Sequence, residues 1–407
     1  MITAKEYVEI KKRCKVERYY AVFMHRGALI RINMSRGVRK VGERKFTIPA
    51  RYDWEETLSY EFKDLTFLGV REVEGVSLQK SSAGRAGADP ELFIENKDCE
   101  VIRASRFVKD KGAEVANDGF QIEIHPAAQG CRQFLASHVA ILLSKAQELA
   151  KSRSCSLTFD IGRTMCDREW EQAEEEDKQF GCEATESIHE PNRTRISGLK
   201  ERFRSCGGHI HLGIGVTFAQ KNVKTLVSLM DLLCGNTFVI LDRDEVNIKR
   251  REHYGRAGEH RIKPYGIEYR VLSNFWLRKY SLFSAAVAFC RQAFWFTEDQ
   301  PELAKELLDR VDMQNIRDAI NNNDVELAKE NLKVVADFFR EKKIYSRVGF
   351  TYEYMDATEQ WLMSEDPVKD LNIPDSVDGI INEWTDRTEG FERFIIRMSK
   401  QYYQEDN

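Results

Sequence analysis

The sequence predicts an α+β fold: an antiparallel sheet with helices on one face, a small β-rich module before it and a helical region after it. Three observations predict this. Four stretches alternate polar and apolar residues with a period of two: Asp89-Pro90-Glu91-Leu92-Phe93, Gln121-Ile122-Glu123-Ile124-His125, His209-Ile210-His211-Leu212 and Glu268-Tyr269-Arg270-Val271-Leu272. Residues 132–152 and 220–241 carry apolar side chains at helical spacing, Leu142, Leu143 and Leu149 in the first, Leu226, Met230 and Leu233 in the second. From about residue 280 the chain reads as helical, over 281–296, 301–321, 325–343 and 389–403.

The elements follow in order. Residues 1–84 open with a charged, helical stretch and continue as short strands at 19–24, 28–32 and 45–48, with a fourth at 67–70. No chemical motif stands there, so the segment reads as an accessory module. Residues 81–88 (SSAGRAGA) are small and read as a linker or mobile loop. Residues 85–300 form the second unit, with strand signals at 90–95, 120–125, 156–161, 208–214 and 267–273. Asn117-Asp118-Gly119 is a hairpin turn signal. The acidic segment 167–178 reads as a solvated helix or loop. Residues 301–407 form the helical C-terminal region, in which Asn321-Asn322-Asn323-Asp324 marks a helix-to-helix turn with an N-cap.

Composition bounds the function. A chain of 407 residues suggests two or three domains. A net charge of −4 gives no electrostatic case for general nucleic-acid binding. Nine cysteines, an odd number without a CxxC pair, read as reduced thiols of a cytoplasmic protein. No apolar run approaches the ~20 residues of a membrane span, and the N-terminus lacks the apolar core of a signal peptide.

The four alternating stretches carry the chemistry. Side chains two apart on a strand share a face. One face therefore collects Asp89, Glu91, Glu123, His125, His209, His211, Glu268 and Arg270. Hard divalent cations bound to phosphates need carboxylate oxygens, and the phosphates need arginine. The run from Tyr254 to Arg270 adds Arg256, Arg261 and Lys263 on a glycine-containing loop that reads as a mobile lid over phosphates. Singly, each stretch has a plainer reading: a turn aspartate, a structural histidine pair, a solvated basic loop. HxH can also ligate zinc, but no third ligand lies at zinc-like spacing. No P-loop and no GxGxxG after a strand is present.

Together the stretches resemble the phage-type COOH–amine ligases, carboxylate–amine ligases of the glutamine synthetase and glutamate–cysteine ligase superfamily. The motifs are Gly87-Ala88-Asp89-Pro90-Glu91, Phe180-Gly181-Cys182, Gly207-Gly208-His209-Ile210-His211-Leu212-Gly213 and the run from Tyr254 to Trp276. The resemblance covers about residues 85–300. It implies a glutamine synthetase-like sheet holding ATP and Mg²⁺, with Mn²⁺ as a substitute. A small-molecule or peptide carboxylate would be phosphorylated and then captured by an amine. Asp89, Glu91, Glu123, His209 and Glu268 resemble the metal ligands. His211, Arg256, Arg261, Lys263 and Arg270 resemble nucleotide contacts, with Arg270, Arg261 and Arg256 acting on the transferred phosphoryl group. Asp89 departs from the Glu-x-Glu found in much of the superfamily. Two other readings remain open: a phosphotransferase of the guanidino-kinase type, and a non-catalytic phage binding or structural protein. A homo-oligomer is compatible with the sequence.

Overall fold

The computed structural model describes residues 19–25, 28–32, 39–41, 44–48, 58–61, 65–72, 84–110, 112–178, 185–190, 201–346 and 350–386. The chain divides into two compact units. One comprises Met1–Ser82, Cys131–Ile141 and Trp384–Asn407; the other comprises Ala83–Gly130 and Leu142–Glu383. The structure is a mixture of helices and antiparallel sheets.

In the first unit, β1 (Tyr19–His25), β2 (Ala28–Ile32), β3 (Arg39–Val41), β4 (Lys45–Ile48), β5 (Leu58–Glu61) and β6 (Leu65–Glu72) form two three-stranded sheets, β2-β1-β6 and β3-β4-β5. The sequence predicts four of these; β3 and β5 fall outside the predicted strands. The predicted N-terminal helix, the helix at 389–403 and the Phe180-Gly181-Cys182 motif lie outside the described residues.

The second unit contains β7 (Arg85–Ala88), β8 (Glu91–Glu95), β9 (Val101–Ile102), β10 (Val115–Asp118), β11 (Gln121–Ile124), β12 (Ser156–Thr158), β13 (Gly162–Thr164), β14 (Glu186–Ser187), β15 (Phe203–Ser205), β16 (Ile210–Gly213), β17 (Glu259–Lys263) and β18 (Gly266–Tyr269). One sheet runs β14-β17-β18-β16-β7 and another β10-β11-β8-β12, with β9 on β8. The chain passes directly from the first to the second through Asp89-Pro90, and residues 206–209, which lead from β15 (paired with β13) into β16, run alongside that crossing. There the Glu91 N–H donates to the Gly207 carbonyl at 2.9 Å and the Gly208 N–H to the Leu272 carbonyl at 3.0 Å. A side chain at Gly208 would collide with the Ser273 carbonyl and the Trp276 indole, so this position requires glycine.

Alternation decides the faces. Ile210, Leu212, Ile267 and Tyr269 are fully buried, and the helices Val216–Met230 and Tyr280–Asp299 pack against β18 and β16. Leu92, Ile122 and Ile124 are likewise fully buried, which fixes the register that turns Glu91 and Glu123 to the other face. The Asn117-Asp118-Gly119 signal is a true hairpin: Asp118 pairs with Gln121, and Gly119 has φ +64°.

Several expectations need correction. Arg85–Ala88 is a strand paired with β16, not a linker. The helix predicted at 220–241 starts at Val216, and its middle, Asp231–Gly235, is π-helical. The span Val216–Leu241 is long and apolar enough to cross a membrane by length and composition, but most of it is buried within the fold. The acidic segment is not simply solvated: Glu169 and Asp177 are buried, and Asp177 accepts from Arg103 at 2.9 Å while Glu169 meets Arg106 at 3.0 Å. The helix predicted at 301–321 is two, Pro301–Arg310 and Met313–Asn322. Val311 is extended between them, and Asp312 caps the second through the Gln314 N–H. Asp324 is an N-cap as predicted, and Asn323 before it is left-handed with φ +54°.

The expected lid is held in place. Glu259–Lys263 is a strand between β14 and β18. Before it, the Gly255 N–H donates to Glu259 Oε2 at 2.7 Å and the Ala257 N–H to Asn321 Oδ1 at 2.9 Å. Amide exchange across residues 255–263 is therefore expected to be slow without nucleotide, because opening must break ladder bonds. Fast exchange of these amides, slowed only by nucleotide, would restore the lid.

Candidate active site

The polar faces of both sheets border a single cavity of about 490 Å³ in the second unit. Asp89, Glu91, Glu123, His209, His211, Arg261, Lys263, Glu268 and Arg270 line it, and so do Asn117, Asp118, His125 and Tyr265. Strand register explains the convergence. Glu268 stands opposite His211 on β16 and opposite Arg261 on β17. Glu123 stands opposite Glu91 across β11 and β8. The cavity thus has one wall of mixed charge and one wall of carboxylates.

Glu268 is the hub of the mixed wall. It is 1% exposed and forms a close ion pair with Arg270, itself 1% exposed. Arg261 approaches it at 3.5 Å and Lys263 at 3.6 Å. Burial raises its pKa, but Arg270 and the histidines outweigh burial and the nearby Asp89, so the carboxyl titrates below its usual range. The Arg270 guanidinium also lies 5.7 Å from the Tyr254 ring, which is flanked as well by the Arg250 guanidinium at 4.9 Å and, edge-on, by the His209 imidazole at 5.9 Å.

Asp89 sits at the crossing between the sheets. Its Oδ1 is 3.0 Å from His209 Nδ1, and its Oδ2 is 3.0 Å from His211 Nε2. Asp89 thus bridges the two imidazoles. Burial acts to raise the Asp89 pKa, but His211 and His209 together hold it well below the usual carboxylate range. The two imidazoles part company. Burial and Arg270 push His209 down to about 4, so it is neutral at pH 7. Burial also opposes charge on His211, yet Asp89 raises its pKa. Asp89, His211 and Glu268 offer ligand atoms that all lie within 4.8 Å of one another. Two carboxylates and an imidazole suit a divalent cation. The sequence places His209 on the metal and His211 nearer the nucleotide. In the structure both imidazoles meet Asp89: His209 Nδ1 also lies 3.6 Å from Glu268, and His211 is the imidazole of the three-residue cluster.

The carboxylate wall is strained electrostatically. Glu91 is 2% exposed and accepts from the Gly207 N–H at 2.8 Å and from the Tyr254 hydroxyl at 3.2 Å. Burial, Asp118 and Glu123 push its pKa up to about 8. Burial raises Glu123 too. Its neighbour His125, at 3.0 Å, is raised to about 9, chiefly by that hydrogen bond. A wall that holds protons in this way is one that a cation would relieve.

Arg256 is the predicted site residue that does not line the cavity. Its guanidinium donates to Glu190 Oε1 at 2.8 Å, with Arg317 3.8 Å from the same oxygen. Tyr254 and Tyr265 are the residues that sequence reasoning missed as partners of the site. Both flank charged strands, but nothing in an isolated tyrosine signals which way it points.

A comparison with curated proteins gives no match. Residues 182–367 match the family model described as phage phiEco32-like COOH.NH2 ligase-type 2, the same phage-type ligase family that the motifs resemble.

Proposed function

We propose that this chain is an ATP-dependent carboxylate–amine ligase that forms an amide or peptide-like bond through an acyl phosphate. The match to a COOH.NH2 ligase family supports the ligase class. The observation that carries the finer reading is the cross-strand row Arg261–Glu268–His211, with Asp89 beside it, in which carboxylates and cations share one buried wall. In this reading residues 85–300 form a glutamine synthetase-like core, the protein works in the cytoplasm of the host cell, and the substrates are a small-molecule or peptide acid and amine.

A carboxylate and an amine do not condense in water, because the acid oxygen is a poor leaving group. In the proposed reaction a carboxylate oxygen attacks the γ-phosphorus of ATP and the bond to ADP breaks. The amine nitrogen then attacks the acyl carbon, phosphate leaves with the electron pair, and the nitrogen loses a proton. Bound Mg²⁺, or Mn²⁺ in its place, supplies neutralisation of phosphate charge and polarisation of the phosphorus–oxygen bonds. Asp89, His211 and Glu268 would hold one ion, and Glu91 and Glu123 offer a second carboxylate pair. Arg270, clamped between Glu268 and Tyr254, presents a guanidinium whose orientation is set before substrate arrives. Arg261 and Lys263 lie on the same wall and would neutralise charge as the phosphoryl group moves. No protein nucleophile is required.

The test is ATP turnover with Mg²⁺ across a library of amino acids and peptides, with products identified by mass spectrometry. An amide together with ADP and phosphate is expected, and excess EDTA should abolish turnover. A phosphorylated amine would favour the guanidino-kinase alternative, and no turnover with any pair would favour a non-catalytic role. Undiminished turnover in EDTA contradicts the metal assignment.

Replacing Glu268 with glutamine keeps the shape but removes the charge. Turnover is expected to fall on the order of 10²-fold or more, the scale of losing a key electrostatic group. The metal-free protein should also melt at a lower temperature, because Arg270 stays buried without its carboxylate. Wild-type turnover in this variant contradicts the role given to Glu268.

A further inference from the structure

Tyr265 enters none of the assignments above, yet it lines the cavity and touches one member of the three-residue cluster. Its Oη lies 3.0 Å from His211 Nδ1. Its ring stacks on the same imidazole, with centroids 5.7 Å apart and planes 23° from parallel. The backbone holds this phenol firmly. Tyr265 occupies the turn between Lys263 and Gly266, which pair across β17 and β18. Its carbonyl accepts from the Gly215 N–H at 3.0 Å, which fastens the turn to the end of β16. Gly266, at φ +147°, leaves no room for a side chain beside the Leu212 carbonyl.

We propose that Tyr265 is a positioning residue that fixes the orientation and tautomer of His211, so that the Nε2 lone pair is presented to a divalent cation shared with Asp89 and Glu268. An imidazole can ligate through Nε2 only if that nitrogen has no hydrogen, so the single proton of the neutral ring must sit on Nδ1. A phenol oxygen accepting from Nδ1–H holds it there, while the stacked ring prevents the imidazole from flipping. This is the outer partner that ligating histidines ordinarily need. The tyrosine itself touches neither the ion nor the reacting atoms. The inference rests on the metal reading of the site.

The experiment measures Mn²⁺ binding by electron paramagnetic resonance in four full-length proteins: wild type, Tyr265→Phe, His211→Ala and the double variant. Phenylalanine keeps the stacking and removes only the hydroxyl. Mn²⁺ affinity is expected to fall about 10- to 100-fold in Tyr265→Phe, with the melting temperature in EDTA unchanged. In the His211→Ala background the same change should have no further effect, because the tyrosine acts through the imidazole. Equal affinity in wild type and Tyr265→Phe overturns the proposal. So does an equal loss in both backgrounds, which would mark a structural role. Failure of the wild type to bind Mn²⁺ overturns the metal reading and this inference with it.

Discussion

The buried ion pair between Glu268 and Arg270 is the interaction on which the site depends. Both side chains are 1% exposed, and neither charge would survive such burial alone. Being two apart on one strand places them on one face. The register of β16 and β17 then brings His211 and Arg261 to Glu268 from either side. The apolar partners Ile267 and Tyr269 enforce that register from the opposite face, where a slip of one residue would turn every charge into the core.

The two sheets give the site its second wall. Asp89 lies where the chain passes from one sheet to the other, and Gly207, which accepts from the Glu91 N–H, ties the entry of β16 to β8, so backbone geometry sets how far the carboxylates of β8 and β11 stand from Glu268. Tyr254 joins the walls, bonding Glu91 and stacking beside Arg270. The two walls are electrostatically unlike. Glu268 and Asp89 stay ionised among cations, whereas Glu91, pushed up to about 8 by burial and its acidic neighbours, retains a proton near neutral pH. One wall thus gathers carboxylates, and the other balances carboxylates against cations.

Much of this was legible in the sequence, and the reasons are physical. Period-two alternation beside fully buried isoleucines fixes a face, so Glu123, His209, His211, Glu268 and Arg270 could be read from local pattern alone. Pairings distant in sequence could not. The resemblance makes Arg256 a loop arginine near the phosphates, and no local pattern reveals its ion pair with Glu190. The acidic segment looked solvated because Arg103, which pairs with Asp177, lies far upstream. The loop before β17 looked mobile because its restraints are hydrogen bonds to Asn321 and Glu259 rather than apolar packing. His211 and His209 share a face, but spacing does not reveal that His209 is the deeper of the two.

The central claim is that the carboxylate substrate is activated by taking a phosphoryl group from ATP. The most direct measurement uses a carboxylic acid labelled with ¹⁸O in its carboxyl group, turned over with ATP and an amine, with the released phosphate analysed by mass spectrometry. The account predicts one ¹⁸O atom in the inorganic phosphate for each amide formed, because the attacking acid oxygen leaves with phosphorus. Amide formation with unlabelled phosphate would contradict it.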